Sequence, residues 1–116
     1  MEDRRASELV ARERTRVEAA LADAAGRITA EGDLGRQQTG ESDDGSELAT
    51  EMVDRALVSD LRAELLAVER AEERIANGTY GRSIVSGFPI PDARLEAAPL
   101  SERTVDEESL YEEHMR

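Results

Sequence analysis

The sequence predicts a mainly α protein: a long antiparallel helical hairpin over residues 1–77, followed by a small C-terminal globule over 78–116. Three observations predict it. Two long stretches carry apolar residues at helical spacing, and a glycine-rich polar run separates them. All three prolines and the only phenylalanine fall in the last third. The chain has 116 residues, 36% charged and only 3% aromatic. That supply of large apolar groups suits narrow stripes on helices better than one deep core, which makes a large enzyme core improbable.

The first helix is expected over about 7–31. Val10, Val17 and Ala24 are spaced by seven, as are Arg14, Leu21 and Ile28, so they draw one heptad-like stripe broken at Arg14. Glu13, Arg16, Glu18, Asp23 and Arg27 are left to face water. Residues 32–46 contain four glycines and many small polar residues, and read as a flexible, acidic connection. A second helix follows over about 47–77, with Leu57, Leu61, Leu65, Val68, Ala71 and Ile75 on one face. Asp54, Arg55, Asp60, Arg62, Glu69, Arg70, Glu73 and Arg74 are expected on the opposite face. Asn77-Gly78 is a helix-ending pair. Neither stripe can stay exposed, so the two helices are expected to fold back on each other as an antiparallel coiled coil, with the acidic loop at its tip. Short extended pieces and turns fit 79–91, and a brief helix fits about 105–113, with Thr104 as its N-cap. Ala97-Ala98 and Arg94-Leu95 are expected to pack the globule against the base of the hairpin.

Charge and composition exclude much. The net charge is −12, and all 15 basic residues are arginine. So negative a surface disfavours nucleic acid and favours basic protein surfaces as partners. With no cysteine and a single histidine, His114, disulfides, thiolate nucleophiles, cysteine zinc sites and histidine dyads are excluded or nearly so. No apolar run approaches the ~20 residues that cross a bilayer, and the N-terminal residues lack a secretory pattern. A cytoplasmic protein without cofactor is expected.

Further residues carry a family resemblance. Arg74-Ile75, Gly78, Tyr80-Gly81, Gly87, Ile90, Arg94-Leu95-Glu96-Ala97 and Pro99 fall in the order and spacing of the DksA/TraR family of bacterial transcription regulators, a resemblance specific across about 74–107. The four zinc cysteines of that family fall on Ser83, Ser86, Thr104 and Glu107, with the spacing kept and the ligands replaced. Hydroxyls and one carboxylate are poor zinc ligands. The resemblance therefore implies a zinc-finger-like globule that lacks its metal.

The family inserts its hairpin into the secondary channel of RNA polymerase, where acidic tip residues act on initiation complexes. Its tip pattern falls on Asp44, Glu47 and Ala49, with Glu47 in place of an aspartate, and Asp43 adjoins it. Capping explains the same acids without a partner, because Asp44 and Glu47 lie three apart at a helix start. Arg94 is a second candidate for contact with a partner. Two functions follow. One is a non-catalytic, monomeric regulator that binds RNA polymerase core or holoenzyme. The other is a helical adaptor, or a homodimer formed through the stripes or by exchange of hairpins. An enzyme is set aside because no nucleophile–base pair is present.

Overall fold

A computed structural model describes residues 1–37 and 44–115, with side chains outside 30–47. Among the described residues there are four helices: α1 (Asp3–Gln37), α2 (Asp44–Asn77), α3 (Asp92–Ala97) and α4 (Val105–Met115). Among the described residues, extended pairing is limited to one antiparallel bridge, Arg82 with Pro89. The connection expected over 32–46 is shorter than its glycines suggest, since α1 runs on to Gln37 and α2 begins at Asp44. Extending an existing helix adds a hydrogen bond per residue without a new nucleus, which offsets the ~1 kcal/mol that each interior glycine costs.

The chain divides into two compact units whose boundaries fall inside the long helices. One unit is Arg14–Leu66; the other combines Met1–Glu13 with Ala67–Arg116.

In the Arg14–Leu66 unit the two helices run antiparallel. Arg16, early in α1, reaches Glu64, late in α2, at 3.5 Å, whereas Arg27 reaches Asp54 at 3.4 Å. Ala24, Val58 and Leu61 form a buried cluster, with Ala20, Leu21 and Ile28 packed against it. Val17 is fully buried as well. The expected stripe on α1 is therefore the observed one. On α2 it is turned by one residue at its start, because Val58 is buried while Leu57 is exposed. Asp54 departs further. Expected on the solvent face, it lies four residues before Val58 on the inward stripe and is 7% exposed.

The second unit is built on Ala6, Leu9 and Val10 of α1 and Val68 and Ala71 of α2, with Ile90 and Leu95 also buried. α2 ends as Asn77-Gly78 predicts. Gly78 has a φ of 75° and is the left-handed residue of the pair. Thr79 N–H donates to the Arg74 carbonyl at 2.8 Å and Gly78 N–H to that of Ile75 at 3.2 Å, closing the last turn. The chain then forms a tight hairpin, with Ser83 N–H donating to Phe88 O and Ile90 N–H to Gly81 O. The short helix α3 carries Leu95 into the core, whereas Ala97 and Ala98 are exposed. Arg5 clamps this helix through a two-pronged bond to Glu96, at 2.8 and 2.6 Å.

Candidate functional site

Two sets of residues carry the functional expectation, and they lie in different units. The tip residues come first. Asp43 lies outside the described residues. Asp44 and Glu47 belong to the first turn of α2, and Ala49, just beyond, is exposed. Past the tip, α2 presents an unusually apolar surface, with Leu48, Met52 and Val53 all more than half exposed.

The second set is Ser83, Ser86, Thr104 and Glu107, which the fold brings together although 17 residues separate the two pairs. Ser83 is buried, and its Oγ accepts from the N–H groups of Val85 at 3.0 Å and Ser86 at 3.2 Å. Ser86 Oγ accepts from Phe88 N–H at 3.2 Å. On the facing segment, Thr104 N–H donates to the Glu107 carboxylate at 2.9 Å, and Glu107 N–H donates to Thr104 Oγ1 at 3.3 Å. This reciprocal pair is a capping box, so Thr104 is the expected N-cap of α4. The two halves meet at Glu107. Its carboxylate is held down to about 2 by the Ser83 hydroxyl, then by the Thr104 N–H and the Ser86 hydroxyl.

A zinc ion does not suit these four groups. Three are hydroxyls already engaged with backbone or carboxylate, and the fourth is a lone carboxylate that accepts hydrogen bonds. Among the described residues no cluster of three or more His, Asp or Glu is placed to hold a metal. The quartet sets the 83–88 turn beside the start of α4, and Ile84 N–H donating to Glu102 O at 2.9 Å is a backbone tie next to it.

Arg94 lies in the globule, in the last turn of α3. It is half-buried, and its Nε donates to the Arg103 carbonyl at 3.1 Å. Tyr80, which the family resemblance singles out, donates its hydroxyl to the carbonyl of Pro99 at 2.8 Å. Burial pushes the Tyr80 hydroxyl above its usual range, against the opposing influence of Arg74.

Two features escape a reading by periodicity. Glu102 is mostly buried and accepts from Arg70 at 3.0 Å and Arg74 at 3.1 Å. Burial pushes its carboxyl up, but the bond from Arg70 and the charges of Arg74 and Arg103 prevail, leaving it below the usual range. The other is the pair of Asp54 and Arg27. Its one signal in the sequence is the acid's place four residues before an apolar stripe position.

No protein-family model and no curated protein matches the chain. Solved structures do. The transcription factor DksA2 from Pseudomonas aeruginosa aligns with a TM-score of 0.83 at 22% identity, over 98% of this chain and 85% of its own. The RNA polymerase binding protein and transcriptional regulator Dks from Chlamydia trachomatis L2 (LGV434) aligns at 25% identity over 82% of this chain and 90% of its own, with a TM-score of 0.44. The fold argument rests on the first. In fold, the chain is DksA-like.

Proposed function

We propose that this protein is a bacterial, cytoplasmic regulator of transcription that binds RNA polymerase and catalyses no reaction. The observation that carries the reading is a coincidence of two kinds of likeness. The chain has the fold of DksA2 over nearly its whole length. The residues that resemble the DksA/TraR family also perform the structural work of the globule: Gly78 closes α2, Tyr80 ties to Pro99, and Ser83, Ser86, Thr104 and Glu107 meet where that family places its zinc ligands.

In this reading the hairpin enters the secondary channel and the tip residues Asp43, Asp44, Glu47 and Ala49 act on initiation complexes. An acidic protein is drawn to a basic channel lining at long range, which speeds encounter. The quartet has no part in contact. It keeps the turn and α4 in place without a metal, so binding does not depend on zinc.

The test is capture of the host's core RNA polymerase by the purified protein and by its Asp44→Asn/Glu47→Gln form, with the lifetime of promoter complexes measured for both. Capture by both forms, with the effect on lifetime lost only in the double variant, supports a channel regulator with a working tip. Failure of both to bind at low salt overturns the proposal and puts the helical adaptor ahead.

A further inference from the structure

In the Arg14–Leu66 unit a groove of about 320 Å³ opens between the two helices, lined by Ala25, Ile28, Arg55, Val58, Ser59 and Arg62. Its floor is apolar, from Ile28 and Val58. One wall is a stripe on α2, with Arg55, Ser59 and Arg62 at helical steps of four and three. The two arginines are therefore rooted ~10 Å apart along the helix axis. On a chain with a net charge of −12 this is a local reversal of sign. Arg55 shares its charge with Glu51 at 2.9 Å, whereas Arg62 makes no ion pair among the described residues.

α4 carries the complementary pattern. Asp106, Leu110 and Glu113 follow one another at the same steps of four and three, so an acid, a large apolar side chain and an acid share one face, the acids rooted the same ~10 Å apart. Both acids are exposed, and Leu110 is 65% exposed. No residue of α4 is buried. The helix is held instead by the Thr104–Glu107 box, by Arg103 against Glu108 at 3.5 Å, and by Arg103 at 3.9 Å from the centre of the Tyr111 ring. At 100° per residue, Glu108 and Tyr111 lie on the side of α4 away from Asp106, Leu110 and Glu113, whereas Glu107 lies only ~60° from Leu110. The acid–apolar–acid stripe is therefore turned from the Arg103 contacts and flanks the Thr104–Glu107 box.

The geometry points to a second copy of this chain as the occupant of the groove: α4 of one copy lies along α2 of another, Leu110 enters over Ile28 and Val58, and Asp106 and Glu113 meet Arg55 and Arg62. Because both stripes read the same in either direction, the charge match does not depend on whether the helices run parallel or antiparallel. The groove shares Ile28 and Val58 with the hairpin's own core and adds the exposed Arg55, Ser59 and Arg62, and the proposal is independent of polymerase binding.

Light scattering after size exclusion, across a wide range of protein concentration, tests it. The wild-type mass is expected to climb from one copy towards two. Arg55→Glu/Arg62→Glu and Asp106→Arg/Glu113→Arg, each alone, are expected to stay monomeric with unchanged helical circular dichroism. An equimolar mixture of the two is expected to associate again, because reversed groove then meets reversed stripe. Milder substitutions, Arg62→Gln and Glu113→Gln, are each expected to weaken association about tenfold, the effect of losing ~1.4 kcal/mol. A wild-type protein that is monomeric at every concentration overturns the proposal, as does a mixture of folded variants that fails to associate. It is also overturned if the wild type is monomeric and Arg55→Glu/Arg62→Glu abolishes polymerase capture, which would give the groove to the polymerase.

Discussion

Replacing Asp54 by leucine should make the protein more stable, although it deletes an ion pair. Asp54 is 7% exposed and stands on the inward stripe of α2, and its Oδ2 has no hydrogen-bond partner. Its Oδ1 receives only a long bond of 3.4 Å from Arg27 Nε. Arg27 is 44% exposed and is held independently by Asp23 at 2.6 Å, so losing Asp54 strands no buried charge. The lost pair is thus worth at most ~1 kcal/mol. Removing an orphaned buried acceptor recovers ~1–3 kcal/mol. A leucine extending the Val58–Leu61 stripe adds ~1.5–3 kcal/mol of apolar burial, less ~1–3 kcal/mol if the site is too tight for it. The net gain is about 1–4 kcal/mol, in the range found when buried ion pairs give way to apolar residues. For a chain of this size that raises Tm by about 4 °C or more. Thermal melts followed by circular dichroism, with urea titration as a check, measure it. A lower Tm for Asp54→Leu would refute the reasoning, because it would mean that the carboxylate is net stabilising where it stands.

Two further predictions concern the second unit. The Glu107 carboxyl falls from its ordinary 4.5 to about 2 in the folded protein, so its contribution to stability is present above 4.5 and is lost as pH falls towards 2. Acid titration of α4 and the 83–88 turn by NMR should show loosening in that window, and Glu107→Gln should flatten it; an unchanged acid profile would disprove the role of the quartet. Glu102→Ala leaves Arg74, with only 12% of its side chain exposed, without its carboxylate, and should cost about 3 kcal/mol. A loss below ~1 kcal/mol in urea unfolding would show that Arg70 and Arg74 hold no structural charge pair there.

Much of this architecture is legible in residue spacing. A heptad step at Val10, Val17 and Ala24 places one face of α1 inward, because only a helical period puts those three side chains in line. Gly78 ends α2 because the left-handed conformation found there, with a φ of 75°, suits a residue without Cβ. Thr104 caps α4 because a hydroxyl with a glutamate three residues on satisfies two orphan donors at once. These are local rules, and the chain states them locally.

What the spacing could not settle depends on groups distant in sequence. Asp54 reads as a solvent-facing acid by composition. It is buried because the antiparallel register sets Arg27 of α1 opposite it, 27 residues away. Glu102 sits in a polar stretch of the last third, and only the packing of that stretch against the end of α2 gives it two arginines. The four degenerate zinc positions are the clearest case. The sequence by itself determined the two long helices, the terminal helix and the spacing of Ser83, Ser86, Thr104 and Glu107, but not α3. Only the tertiary structure decided that those residues gather about the Glu107 carboxylate, because polar groups hold a carboxyl down only at close range. Nothing in a linear pattern carries that proximity.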